Sequence, residues 1–335
     1  MNAENIVKDA REAVAKKLSV SQQEIYFTSG GTESNNIAII GACTAMRLKG
    51  TVITSKIEHK SVLECFSYLE RQGFNVIYLD VTKEGIVDLN QLKAVMNEQV
   101  SFVSIMHVNN ETGAIQPVDK IPRIIKRKNS PAVFHIDAVQ AFGKLPFKNT
   151  RLKADMISVT AHKIYGPKGV GALYIKKGVR ITPRQFGGEQ QSKIRPGTES
   201  APLIVGFGQA VKEIDYTKNN DVKEINDYLR ERLKELDGVV INSPDNALEY
   251  ILNFSVVGIR SETMLHFLAD RNIYVSSGSA CSKGKPSYVL TAMGLDKRFA
   301  DSAIRVSFSN SNTKEDIDSL VNAIGEGINS LVRIK

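Results

Sequence analysis

Seven short β-rich runs punctuate the first two-thirds of the chain, and helical stretches separate several of them. The runs are EIYFTS (24–29), TVITSK (51–56), NVIYLD (75–80), VSFVSIMHV (100–108), AVFHID (132–137), DMISVT (155–160) and GALYIKK (171–177). Helical patterns lie between them at 35–50, 60–73 and 89–98, in NNIAIIGACTAMRLKG, KSVLECFSYLERQG and LNQLKAVMNE. Antiparallel neighbours need only a tight turn, whereas parallel neighbours need a crossover, usually a helix. Alternation of this kind therefore predicts an α/β architecture: a mostly parallel seven-stranded sheet flanked by helices. In such sheets ligands bind beyond the carboxyl ends of the strands, so the residues that end the runs matter most. From about Asp215 the texture changes to a charged helix, DVKEINDYLRERLKELDG, then ILNFSVVG, SETMLHFLADRN, AIRVSFS and a last helix, KEDIDSLVNAIGEGINSLV. This predicts a large domain over 1–215 and a smaller α+β domain over 216–335.

Composition excludes several classes. Hydrophobic residues make up 42% of the 335 and charged residues 24%, as in ordinary globular proteins. The apolar runs are too short to span a bilayer. The start, MNAENIVKDAREAVAKK, reads as an amphipathic helix and has no secretory pattern, which predicts a cytoplasmic protein. The three cysteines, Cys43, Cys65 and Cys281, show no CxxC or CxxH spacing, which argues against a disulfide framework and against a metal site of the chain's own. Cys43 and Cys65 fall in helical patterns and read as inert core thiols. Cys281 sits in SSGSACSKGKP, a stretch that continues neither helix nor strand. The net charge of +8 is partly gathered in IPRIIKRKNS, at Arg123, Lys126, Arg127 and Lys128. Without interleaved aromatics that cluster reads as a solvated face, and no nucleic-acid site is expected.

The strand ends carry the chemistry. EIYFTS runs into GGTESNN, where two glycines permit close backbone approach and a helix start offers free N–H groups, a phosphate site in principle. The P-loop and dinucleotide spacings are absent. His59 follows TVITSK; a lone histidine there is more often structural. Asp137 ends AVFHID, and a carboxylate at a buried strand end is costly without a cationic partner. Thr160, His162 and Lys163 follow DMISV. Lys163 is either a surface residue or a Schiff-base lysine. Pyridoxal 5'-phosphate requires a lysine, an acid facing its pyridine nitrogen and donors around its phosphate. Lys163, Asp137 and the Gly30–Gly31–Thr32 turn supply that set from the ends of one sheet, and His59 adds a ring to lie over the pyridine.

These stretches resemble the cysteine desulfurases of the NifS/IscS type, within the class-V aminotransferases. FTSGGTESNN, TSKIEHKSVL, VSIMHVNNETGAIQPV, FHIDAVQAFGKLP, TAHKIYGPKGVGALY, RPGTES, VSSGSACS, PSYVLTAMGL and IRVSFS follow the family's order over nearly the whole chain. The resemblance implies the PLP-dependent transferase fold type I and a homodimer. It implies that Lys163 binds the cofactor covalently, that Asp137 holds the pyridine nitrogen and Gln140 the phenolic oxygen, and that Asn110 lies beside the ring near the substrate. It places His59 on the ring as a proton carrier. Gly31, Thr32, Thr160 and His162 would hold the phosphate, with Thr198 reaching a phosphate in the partner subunit. Arg305 would grip the carboxylate of L-cysteine, and Cys281 would accept its sulfur as a persulfide while alanine leaves. The sulfur acceptor implied is an iron–sulfur scaffold, with which Cys281 would briefly share a cluster, or a tRNA thiolation enzyme. The short SACSKGKP loop favours tRNA thiolation and a restricted range of acceptors.

Three features depart from the family. Its members open with a further stretch containing a YxDNAATT-like motif, and this sequence starts at the helix after it; the expectation is weak cofactor binding, poor solubility and low activity. FGGEQQ stands where the family has a GGGQE-like order, so Glu189 and Gln190 receive no role. The loop between Cys281 and Pro286 is short. Two alternatives stand beside an active desulfurase: a non-catalytic remnant of the fold, and another class-V enzyme such as a selenocysteine lyase or an aminotransferase. A cysteine in a glycine-rich loop argues against an aminotransferase.

Overall fold

Strand direction at the large sheet follows from which connections are long enough to hold a helix. The computed structural model describes residues 3–46, 49–146, 148–277 and 286–332; Cys281 lies outside them. By contacts the chain divides into two compact units. The first comprises Met1–Asp80, Val87–Val108 and Gln116–Tyr216, and the second Val81–Ile86, Asn109–Ile115 and Thr217–Lys335. Tyr216 thus falls with the first unit, and two short inserts with no boundary signal of their own fall with the second.

In the first unit the strands are β1 (Ile25–Thr28), β2 (Thr51–Ser55), β3 (Asn75–Leu79), β4 (Val100–Met106), β5 (Val133–Asp137), β6 (Met156–Thr160) and β7 (Gly171–Ile175). They form one seven-stranded sheet in the order β1-β7-β6-β5-β4-β2-β3. Each matches one expected run. β2, β3, β4, β5 and β6 pair in parallel, while β7 runs antiparallel to both β6 and β1. The reversal of β7 has a local cause. Residues 161–170 are too few for the dozen or so that a parallel crossover needs. Every residue of β2, β6 and β7 is buried, as sheets covered on both faces require.

Helices fill both sides. Lys60–Arg71 buries Val62, Cys65, Phe66 and Leu69. Ile37–Gly41, a π turn between Gly31–Asn36 and Ala42–Thr44, is buried throughout, and the helical stretch ends at Thr44, before the expected 50. The amphipathic Ala3–Leu18 packs on Ala201–Lys212, where a Cβ on Gly208 would come 2.6 Å from the Ala10 Cβ. Cys43 and Cys65 are both buried, which pushes their thiols up, Cys65 to about 12. Both are inert at neutral pH, as expected.

The second unit has an antiparallel four-stranded sheet in the order β10-β11-β9-β8: β8 (Val239–Ile241), β9 (Ile251–Val256), β10 (Ser276–Ser277) and β11 (Ala303–Ser307). Beside it, helix Lys314–Ser330 packs on both Asn219–Lys234 and Ser261–Ala269. The insert 109–115 is tied in by backbone and hydroxyl bonds: the Leu248 N–H donates to the Gly113 carbonyl at 2.9 Å, and the Ser243 hydroxyl to the Thr112 carbonyl at 2.7 Å. Among the described residues no helix is long and apolar enough to cross a membrane.

Candidate active site

The parallel strands of the first unit end together at Thr28, Ser55, Met106, Asp137 and Thr160, and the reversed β7 begins beside them at Gly171, paired with Thr28 and Thr160. Gly171 must be glycine, because a Cβ there would sit 2.7 Å from the Val159 carbonyl and 2.8 Å from the Gly30 Cα. That close approach brings the turn after β1 against the turn after β6. Gly30 has φ 151, and a Cβ on it would lie 3.8 Å from the Thr160 Oγ1. The same Oγ1 donates to the Val170 carbonyl and stands 3.0 Å from the His162 Nδ1. Gly31, Thr32, Thr160 and His162, expected as a phosphate cradle, thus stem from two turns brought side by side by β7. Burial pushes the His162 imidazole down, and the charges of Lys163, Lys168 and Lys144 push it further. A positive field around a glycine turn and a helix start suits an anion.

One strand further along, Asp137 is buried at the end of β5. Its Oδ1 accepts the Val139 N–H at 3.0 Å, and its Oδ2 accepts an Asn35 amide proton at 2.8 Å. Burial pushes this carboxyl up, against the pull of those two donors and of His59. A cationic hydrogen-bond donor seated against it would offset the desolvation. His59 caps the helix Lys60–Arg71: its Nδ1 accepts the Ser61 N–H at 3.1 Å and lies 2.8 Å from the Ser61 hydroxyl. Burial holds its imidazole below the ordinary value, with Asp137 pulling up and Lys163 pushing down.

Lys163 sits in the single turn Ala161–Ile164 that follows β6, closed by Tyr165 in the left-handed region. Its charge acts on both His59 and His162, so it belongs to the same edge. Gln140 is half-buried just past β5 and accepts from the Lys144 ammonium at 3.3 Å. Thr198 is exposed, before the helix Ala201–Lys212. Asn110 and Arg305 belong to the second unit, where an Arg305 Nη1 proton goes to the Asn110 carbonyl at 3.0 Å. The Asn110 side-chain oxygen is buried and unpartnered among the described residues.

The sequence profile of the aminotransferase class-V family matches residues 1–320. The chain belongs to the class-V aminotransferase family. It is 42% identical over 320 residues to the "Cysteine desulfurase IscS" of Dictyoglomus turgidum, a match covering 93% of this chain and 81% of that one. Among solved structures it is similar to a "NifS-like protein" at TM-score 0.92 and 40% identity, covering 98% of this chain and 89% of the other. It is also similar to "SspA in complex with cysteine" at TM-score 0.80 and 36% identity, covering 93% and 88%. As a class-V aminotransferase the chain uses pyridoxal phosphate. The residues present fit that group: a buried carboxyl pushed up by burial, an anion-favouring turn where a Cβ on Gly31 would come 2.6 Å from Val139, and a lysine on the turn after β6.

Three residues of this class-V site had no role assigned from the sequence. Asn35 and Ser61 join Asp137 to His59, since the Asn35 amide also donates to the Ser61 hydroxyl at 2.9 Å. Glu58 is fully buried, accepts the Met106 N–H and the Ser55 hydroxyl, and is pushed up to about 8 by burial. A clue to Ser61 was present in its place two residues after His59, where a helix N-terminus needs caps. Asn35 and Glu58 gave none, because Asn35 bonds Ser61 and Asp137, 26 and 102 residues on, and Glu58 reaches the Met106 N–H 48 residues away.

Proposed function

We propose that this chain is a PLP-dependent cysteine desulfurase, which takes sulfur from L-cysteine, leaves L-alanine and carries the sulfur as a persulfide on Cys281. Residues 1–215 form the cofactor-binding domain and 216–335 the small domain in this reading. Bound pyridoxal phosphate supplies an electrophilic carbonyl and a ring that withdraws electrons from the substrate Cα. Asp137 holds the pyridine nitrogen protonated, and Gln140 bonds the phenolic oxygen. Gly31, Thr32, Thr160 and His162 bind the phosphate, with Thr198 reaching the partner subunit's site in a homodimer. Lys163 anchors the cofactor and moves the Cα proton, with His59 on the ring beside it. Asn110 and Arg305 orient the substrate, the guanidinium gripping its carboxylate in a bidentate pair. The Cys281 thiolate attacks the substrate sulfur; the new S–S bond forms as the C–S bond breaks, and the electron pair returns to the alanine carbon, where a proton completes it.

The observation that carries this reading is the buried Asp137 carboxyl, pushed up by burial, one strand from the turn that bears Lys163. A cysteine-bound structure similar to this chain supports the substrate. The acceptor is a sulfur-carrying partner protein: an iron–sulfur scaffold or a tRNA thiolation enzyme, with the short loop after Cys281 favouring the latter. The enzyme works in the cytoplasm. The test is sulfide release from L-cysteine with a reductant present. The Cys281→Ala variant is expected to keep the cofactor absorbance and its cysteine-induced change while releasing no sulfide. Release at the unaltered rate would remove Cys281 from the reaction.

A further inference from the structure

The Asp137 carboxylate and the His59 ring are joined by a chain of hydrogen bonds whose direction can be read off atom by atom. The Asn35 Nδ2 lies 2.8 Å from the Asp137 Oδ2 and 2.9 Å from the Ser61 Oγ. An amide nitrogen carries two protons and accepts none, so both bonds run outward from Asn35. The opposite amide orientation would set its oxygen against a carboxylate oxygen, which excludes it. The Ser61 hydroxyl, accepting from Asn35, keeps its own proton for the His59 Nδ1 at 2.8 Å. That nitrogen also accepts the Ser61 backbone N–H at 3.1 Å, and with both donors aimed at it, it carries no proton. In a neutral ring the proton then resides on Nε2.

We propose that Asn35 and Ser61 are positioning residues that lock His59 as a neutral ring protonated at Nε2, so that it serves the reaction as a hydrogen-bond donor and leaves proton abstraction to Lys163. The inference rests on the desulfurase reading for what the donor acts upon, but the lock itself belongs to the four side chains. Two donors converge on Nδ1, and protonating it would turn one attraction into an N–H against N–H clash. Asn35 is 1% exposed, so its two bonds form away from water, where they hold geometry best. Burial already disfavours the imidazolium. The charged groups that act on the ring oppose each other: Asp137 from β5 favours a positive ring and Lys163 from the turn after β6 disfavours it. Asn35 acts on both ends of the chain at once, since the proton it gives Asp137 favours the ionised carboxylate.

The direct measurement is a 15N NMR titration of the full chain with pyridoxal phosphate added and no cysteine, histidines labelled and His59 assigned by its absence in a His59→Gln variant. The expected result is an unprotonated Nδ1 and a protonated Nε2 across neutral pH. The Ser61→Ala variant, left with only the longer backbone N–H bond on Nδ1, should populate a share of the other tautomer and show a fall in kcat of roughly 5- to 10-fold with KM little changed, the scale of one lost hydrogen bond. Ser61→Thr, which keeps the hydroxyl, should restore both. Asn35→Ala should loosen the ring in the same way and additionally shift the cofactor absorbance through Asp137, so the inference stands testable even where one variant folds poorly. A wild-type ring protonated at Nδ1, or one charged at neutral pH, would overturn it. So would an unaltered tautomer in both Ser61→Ala and Asn35→Ala. A chain with the Nε2 tautomer but no sulfide release would sink the desulfurase reading alone.

Discussion

The two units hold their expected site residues in different ways. In the first, Asp137 accepts from two donors, His59 accepts twice from Ser61, and Thr160 is bonded to Val170 beside His162. In the second, the Arg305 guanidinium bonds the backbone carbonyl of Asn110, and the Asn110 amide oxygen is buried without a partner among the described residues. The difference tracks chemistry. A resident cofactor is served by a site fixed in advance, because each polar group that must reorganise during reaction adds to the barrier. In the proposed reading the unpartnered Asn110 oxygen is left for a transient substrate. The contrast also follows from architecture: the first set comes from adjacent ends of one parallel sheet, and the second from an antiparallel strand and a short insert.

Substitutions can break that contrast. The largest effect is expected at Lys163: Lys163→Ala should lower sulfide release on the order of 10³-fold and abolish the imine absorbance that borohydride bleaches. Retention of a bleachable band would displace Lys163 from the cofactor. Next comes Asp137→Asn, which keeps the shape and removes the charge; a fall of about 10²-fold in kcat with a shifted cofactor spectrum is expected. In the second unit the signature should reverse. Arg305→Lys keeps the charge but loses the planar fork, and a loss of roughly 10-fold in apparent cysteine affinity with an unchanged cofactor spectrum is expected. A spectral shift there, or unaltered kinetics, would erase the distinction between the units.

The smallest effect concerns stability. The Glu58 carboxyl is pushed up to about 8, above its ordinary 4.5, so the folded chain holds its proton more tightly than the unfolded chain does. The stability it contributes is full below about pH 4.5 and is lost as pH rises through about 8. The slope is at most about 1.4 kcal/mol per pH unit across that window. Denaturation midpoints measured through the window should decline less steeply for Glu58→Gln than for the unaltered protein. Parallel slopes would mean that Glu58 is ionised in the folded state.

Much of this was legible beforehand. All seven strands of the large sheet, the burial of Cys43 and Cys65 and the strand-end position of Asp137 follow from local runs of apolar and β-branched residues, whose period and length a sequence displays directly. Lys163 and the Gly30–Gly31 turn were found for the same reason: each directly follows a strand. The linear order could not tell which strand ends would be neighbours. β1, first in sequence, lies beside β7, the last strand of its sheet, and only that placement sets Gly30 against Thr160. Asn35 and Asp137 stand 102 residues apart and meet through one amide proton. Glu58 is bonded to the end of β4, and the burial that comes with that placement raises its carboxyl. Residue type and local pattern determined which chemistry was present, because backbone periodicity and turn preference act over a few residues. The tertiary structure decided which groups share protons, because a hydrogen bond requires contact within about 3 Å and strand order alone provides it.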